Sequence, residues 1–146
     1  MLRVMIGFIR GLGTLSAPWR LWVGLLVAVN FVAPCFFLAH FEARVVLAAS
    51  LLSAVLQMAI FRFRGFVRLL GLGHLVAWTP MLIWLVGRAG LPGISDEIDY
   101  WLVAVLAVDA VSLVIDFVDV VRYILGDRAP SLSVDDLEPL SFNSSS

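Results

Sequence analysis

Five polar side chains recur along one apolar stretch of the chain, residues 100–125. Because an α-helix turns about 100° per residue, their spacing places all five within an arc of roughly 80°. The five are Asp109, Ser112, Asp116, Asp119 and Tyr123. The opposite side of the same helix is apolar and includes Val111, Val114 and Val118. The sequence therefore predicts that the acids face protein or a watery cavity while the valines face lipid.

Polar residues in three other apolar stretches are expected at depths that match these acids. Counted from the nearest arginines at about 1.5 Å per residue, Gln57, His74 and Asp116 lie roughly 8–9 Å inside one boundary of the membrane and form an inner layer. Asn30 and Asp109 lie deeper and form a middle layer. A histidine–carboxylate pair can pass on a proton near neutral pH. The five residues therefore predict a cluster that binds or conducts a proton or a small cation.

Two interpretations of the buried acids stay open. A charged side chain near the bilayer centre costs at least about 2.5–3.5 kcal/mol, a penalty that a simple membrane anchor does not need. Asp109 and Asp116 are either satisfied structurally, as neutral acids or beside a cation, or they line a hydrated route. Asp119 is expected to lie nearer to the same membrane boundary and to form a structural ion pair there with Arg122 or Arg68.

The elements that carry these residues are predicted from composition and hydropathy. The chain has 146 residues, of which 62% are hydrophobic and 14% charged, and its mean hydropathy is +1.02. So small a protein cannot hide that much apolar surface from water, which excludes a water-soluble globule. Four apolar runs approach the length of roughly 20 residues that a bilayer-spanning helix needs. They cover residues 19–39, 45–61, 69–87 and 100–125. We predict an all-α polytopic membrane protein with four transmembrane helices.

The arginines predict how these helices are oriented. All ten cationic residues are arginines. If the N-terminus lies inside, eight of them fall on the cytoplasmic side or at its edge, and only Arg44 and Arg88 fall outside. This asymmetry is typical of short cytoplasmic loops and predicts that both termini are cytoplasmic. The arginine-only, alanine-rich composition points to a GC-rich bacterial genome and hence to the bacterial inner membrane.

Three segments follow from this topology. Residues 1–18 are predicted to form a cytoplasmic basic leader or a short interfacial helix. Residues 19–128 are predicted to form the four-helix transmembrane bundle. Residues 129–146 are polar, acidic and serine-ended, and they are predicted to form a disordered cytoplasmic tail.

Enzymatic, metal-binding and nucleotide-binding functions lack support in the sequence. The single cysteine, Cys35, excludes thiol oxidoreductases that need a cysteine pair, and two histidines exclude a histidine-rich metal cage. Gly71 and Gly73 precede His74 but follow no strand, so close helix packing explains them better than a phosphate loop does. We therefore expect no enzymatic activity, no metal and no cofactor. We also expect no nucleic-acid partner, because membrane topology already accounts for the arginines.

The alternative function is that of a non-catalytic accessory or assembly subunit of a larger membrane complex. In that case the acids pair with groups on the helices of a membrane-protein partner or of a second copy of the chain. The small size favours this alternative, since four helices enclose only a narrow interior. Under both hypotheses the chain contacts the lipid bilayer. Only the proton or cation hypothesis adds a proton or small cation as a ligand.

Overall fold

The computed structural model describes residues 6, 9–10, 12–13, 15–64, 68–89 and 97–127, and within these ranges it is helical without strands. Helix α1 covers Ala17–Val27 and continues as a π-helical turn, Ala28–Val32, and a 3-10 turn, Ala33–Phe36. Helix α2 covers Phe41–Arg64. Helix α3 covers Leu72–Ala89 and follows a 3-10 turn at Arg68–Gly71. Helix α4 covers Glu97–Ile124.

Four helical segments are long and apolar enough to cross a membrane, which confirms the predicted number. They are Ala17–Phe36, Phe41–Arg64, Arg68–Arg88 and Glu97–Ile124. The predicted acidic tail, residues 129–146, lies outside the described residues, and so does much of the predicted leader, residues 1–18.

Pro34 explains why the first span is irregular. A proline has no N–H to donate to the carbonyl of Asn30, so the regular ladder cannot continue through this turn. The chain instead widens, and the Ala33 N–H donates to the carbonyl of Ala28. In this wider i→i−5 register, the carbonyl that Pro34 leaves without a backbone donor is that of Val29, and the Trp101 indole donates to it at 3.0 Å. The widened turn places Asn30 inside the bundle, where it is fully buried.

The helices surround a common axis, and ion pairs mark the two ends of the bundle. Helix α3 packs between α2 and α4, and the π-helical turn contacts both α2 and α4. At one end, called the Arg88 end, Arg88 donates to Glu42 at 2.6 and 3.2 Å. At the other, called the Arg68 end, Arg68 contacts Asp119 at 2.8 Å. Helix α1 contacts the other helices mainly through its irregular turns. Its segment Ala17–Val27 makes few contacts with them.

The two faces of α4 differ as its sequence predicts. Asp109 and Ser112 are buried, whereas Val111, Val114 and Val118 are about half exposed or more. The valine face of α4 therefore forms an apolar outer surface, and Asp109 and Ser112 turn toward the interior of the bundle.

Candidate functional site

A chain of hydrogen bonds centred on His74 joins three helices near the Arg68 end. The Nε2 atom of His74 lies 2.6 Å from Nε2 of Gln57 on α2. Its Nδ1 atom lies 2.7 Å from Oδ2 of Asp116 on α4. Gln57 also donates to the Ser53 hydroxyl at 3.3 Å, and the Ser112 hydroxyl donates to Asp116 at 3.3 Å. The structure thus brings together the residues of the predicted inner layer.

This geometry can hold His74 in either of two protonation states. With the Gln57 amide nitrogen against it, Nε2 must accept, so the imidazole is neutral and its Nδ1–H donates to Asp116. Rotating the Gln57 amide places its oxygen against Nε2, and the same site then holds an imidazolium. Ser53 adapts to both orientations because a hydroxyl donates or accepts. The site can therefore gain and lose a proton without moving a helix.

A cleft leads from the Arg68 end to His74 and Asp116. It has a volume of about 610 Å³ and lies between the segment Ala17–Val27 of α1 and the facing sides of α3 and α4. One wall is apolar and includes Trp22 and Leu26. The other wall includes His74 and Asp116, whose side chains are 19% and 16% exposed. The pair is thus reachable from one end of the bundle.

Ion pairs line the mouth of the cleft. Arg68 donates to Asp119 at 2.8 Å and to Asp127 at 2.7 Å. Arg122, predicted beside Asp119, lies instead 3.4 Å from Asp127, which was not predicted as a partner. The helix ends at Ile124, and Gly126 with a φ of 121° turns the chain so that Asp127 reaches back to both arginines. These side chains are partly exposed, so each pair contributes little to stability and mainly shapes the mouth.

Asn30 and Asp109 form the middle layer, deeper along the axis. The Asn30 amide donates from Nδ2 to Oδ1 of Asp109 at 2.7 Å, and both residues are fully buried. Asp109 precedes Asp116 by seven residues, so it lies on the same face of α4 and about 10 Å deeper. Within the described part of the chain, the other side-chain oxygens, Asn30 Oδ1 and Asp109 Oδ2, have no hydrogen-bond partner.

Two further residues border the middle layer and were not predicted as part of the site. The Trp78 ring stacks on the His74 ring with centroids 4.0 Å apart. Ser50 is 1% exposed. Helical spacing contains a signal for both, because Trp78 lies four residues after His74 and Ser50 lies seven before Gln57.

The buried polar side chains of the described residues do not extend to the Arg88 end. The side chains buried there are apolar and well packed, and they include Val46, Met81, Leu85 and Val105, all at most 4% exposed. Among the described residues, the buried polar side chains therefore lie from the middle layer toward the Arg68 end, and those buried toward the Arg88 end are apolar.

The described residues lack the arrangement of a metal site and that of a Ser–His–Asp triad. They contain no group of three or more His, Cys, Asp or Glu residues able to hold a metal. Ser112 contacts Asp116, and the second nitrogen of His74 faces Gln57, so the order differs from that of a nucleophilic triad. Comparisons with protein-family models, curated proteins and solved structures find no match. The geometry of the side chains is therefore the basis for a functional inference.

Proposed function

We propose that this chain is an integral membrane protein that takes up and releases a proton at His74 and Asp116, with Asp109 as a deeper proton site. The observation that carries the proposal is the bridge Gln57–His74–Asp116 at the wall of the cleft. A histidine hydrogen-bonded to a carboxylate can accept a proton and pass it on, and here the cleft gives the pair access to water.

The arginines support an orientation for the proposed uptake. Arg62, Arg64, Arg68 and Arg122 all lie at the Arg68 end of the bundle, whereas Arg44 and Arg88 lie toward the other end. An excess of arginine marks the cytoplasmic side. With both termini in the cytoplasm of a bacterium, the cleft admits protons from the cytoplasmic side of the inner membrane.

The apolar packing near the Arg88 end favours controlled binding over a free leak. A proton that reaches Asp109 meets Val46, Met81 and Val105 beyond it, and apolar side chains offer no hydrogen-bonded route. Translocation across the membrane therefore requires this half of the bundle to open. We expect slow, saturable proton movement rather than the rapid flux of an open pore.

The test is proton movement into proteoliposomes that contain a trapped pH-sensitive dye. We expect a flux driven by a pH gradient that Asp116→Asn and Asp109→Asn each lower by at least about tenfold, because a positioned acid–base group contributes that much or more. Asp99→Asn is the matched control, since it makes the same change on the same helix near the Arg88 end, outside the lining of the cleft. Unchanged flux in both Asp109→Asn and Asp116→Asn would remove the proton-relay role.

A role as accessory or assembly subunit is the second candidate. The weakly packed segment Ala17–Val27 favours it, because a partner's helix can fill the cleft beside this segment. Purification in mild detergent separates the two. A stoichiometric foreign partner, together with no flux from the isolated chain, supports the subunit role. An isolated chain that retains flux supports the proton role.

A further inference from the structure

Four buried polar atoms in the described part of the chain have no hydrogen-bond partner, and each belongs to a different span. They are Asn30 Oδ1, Ser50 Oγ, Trp78 Nε1 and Asp109 Oδ2. The four residues are at most 2% exposed. Buried polar groups without a partner are rare, since each costs about 1–3 kcal/mol. Four such atoms, one from each span, indicate a common polar site rather than four separate defects.

Helical spacing places these atoms at one level of the bundle. Gln57, His74 and Asp116 already meet across three helices. Ser50 and Asp109 each lie seven residues from a member of this layer, which keeps them on the same faces to within about 20° and moves them about 10 Å along the axis.

The other two spans reach the same level. Trp78 lies four residues beyond His74 on the same face of α3, and its ring stacks on the imidazole. Asn30 is joined to Asp109 by its amide hydrogen bond. All four unpartnered atoms therefore belong to side chains near the bundle axis, about one to two helical turns from His74 toward the Arg88 end.

The chemistry of the four atoms identifies what binds between them. The Trp78 N–H can only donate, Asn30 Oδ1 and the Asp109 carboxylate accept, and the Ser50 hydroxyl does either. An alkali cation would face the Trp78 N–H and find only three side-chain oxygens. A water molecule accepts from Trp78 and Ser50 and donates to Asn30 and Asp109, which satisfies all four atoms.

We infer that a water molecule bound between Asn30, Ser50, Trp78 and Asp109 connects the two polar layers, so that the interior takes up a proton and not an alkali cation. This inference rests on the proposed proton function and specifies its ion and its route. Ser112 completes the route, because it is buried on α4 between Asp109 and Asp116 and already contacts Asp116 at 3.3 Å.

Each step of the route conserves protons. The Ser50 hydroxyl first turns away from the water, because the water cannot accept hydrogens from Trp78, Ser50 and Ser112 at once. Protonated Asp116 then gives its proton to the Ser112 hydroxyl, which passes its own hydrogen to the water. The water passes one of its hydrogens to Oδ2 of Asp109. Every intermediate group gains one proton and loses one, so only the two carboxyl groups change their charge.

The functional test uses the proteoliposome assay with variants outside the carboxyl pair. We expect Ser112→Ala to lower proton flux by about tenfold or more, since it interrupts a hydrogen-bonded chain. Trp78→Phe keeps the stacked ring but removes the N–H, and Ser50→Ala removes a hydroxyl that Ser50→Thr retains. Both Trp78→Phe and Ser50→Ala are expected to lower the flux, and Ser50→Thr to restore it. Replacing all sodium and potassium by N-methylglucamine, with a membrane-permeant anion present to compensate the charge, is expected to leave the wild-type flux unchanged.

A crystallographic arm tests the site independently of transport. Crystals grown in a lipidic mesophase are expected to show water density between the four atoms, and crystals soaked in rubidium chloride are expected to show no anomalous peak there. A rubidium peak, or a flux that depends on sodium or potassium, would overturn the inference.

The two proposals fail in different ways. If Asp109→Asn abolishes flux but Ser112→Ala, Trp78→Phe and Ser50→Ala do not, the water route is wrong and the proton function stands. If the wild-type chain shows no flux, the proton function fails, and the water inference that depends on it fails too. Water density between the four atoms would then still establish a hydrated structural site.

Discussion

Asn30→Leu is expected to lower the free energy of unfolding by about 2 kcal/mol, because it leaves the buried Asp109 carboxyl without its only hydrogen-bond donor among the described residues. The penalty arises from the stranded partner more than from the lost bond itself. Asp109 is 0% exposed, so water at the surface cannot replace the amide. The measurement is unfolding by SDS in mixed micelles, followed by tryptophan fluorescence.

A double-mutant cycle separates this cause from a general packing defect. Asn30→Leu combined with Asp109→Leu removes both polar partners, and replacing both members of a hydrogen-bonded pair by apolar groups is nearly neutral. We therefore expect the double variant to be more stable than either single variant. Thr79→Leu, at an exposed position on α3, is the matched control and is expected to change stability little. Simple addition of the two single effects would show that Asn30 and Asp109 are not coupled.

Gly71→Ala and Gly73→Ala are expected to destabilise the bundle by about 1–3 kcal/mol each, through overpacking where helices approach closely. A Cβ atom at Gly71 would lie 2.8 Å from Cβ and Oδ1 of Asp116 and 3.0 Å from its Cα. At Gly73 it would lie 2.7 Å from Cγ of Gln57 and 2.9 Å from the Ser53 carbonyl oxygen. Backbone atoms are involved at both positions, so α3 must move away from α4 or α2.

Two other glycines in the spans provide controls of opposite sign. A Cβ atom at Gly24 or Gly87 meets nothing within 4 Å, so alanine there is expected to be neutral or to stabilise by up to about 1 kcal/mol through its better helix propensity. SDS unfolding compares the four variants. Gly71→Ala should also disturb the contact between Asp116 and His74, which the imidazole ¹⁵N shifts report. Equal effects at all four positions would contradict the close-packing explanation.

Much of the candidate site follows from local helix geometry. The 100° turn places Asp109 and Asp116 on one face, and the 1.5 Å rise places Gln57, His74 and Asp116 at one depth. Neither quantity depends on how the helices pack, and for this reason the two layers could be predicted. The structure finds hydrogen bonds within each of them. The role of Gly71 and Gly73 in close packing likewise follows from residue size.

Other parts of the site depend on contacts that no local pattern encodes. Arg122 meets Asp127 rather than Asp119, because the chain reverses after Ile124 and carries Asp127 back under the helix end. The unpartnered indole of Trp78 is invisible in the sequence, since any tryptophan in a span looks apolar until its neighbours are known. The cleft also depends on packing, because it exists only where Ala17–Val27 stands away from α3 and α4.

The sequence alone determined that this chain forms four apolar helices and that Asp109, Asp116 and Asp119 lie on one side of the last one. Hydrophobic length and helical periodicity are properties of each segment taken by itself. Only the tertiary structure decided which polar groups meet. Asn30 and Asp109 are 79 residues apart, and their 2.7 Å contact depends on the widened turn before Pro34 and on the order in which four helices surround one axis. That order depends on the shapes of facing side chains taken together, which no single segment contains.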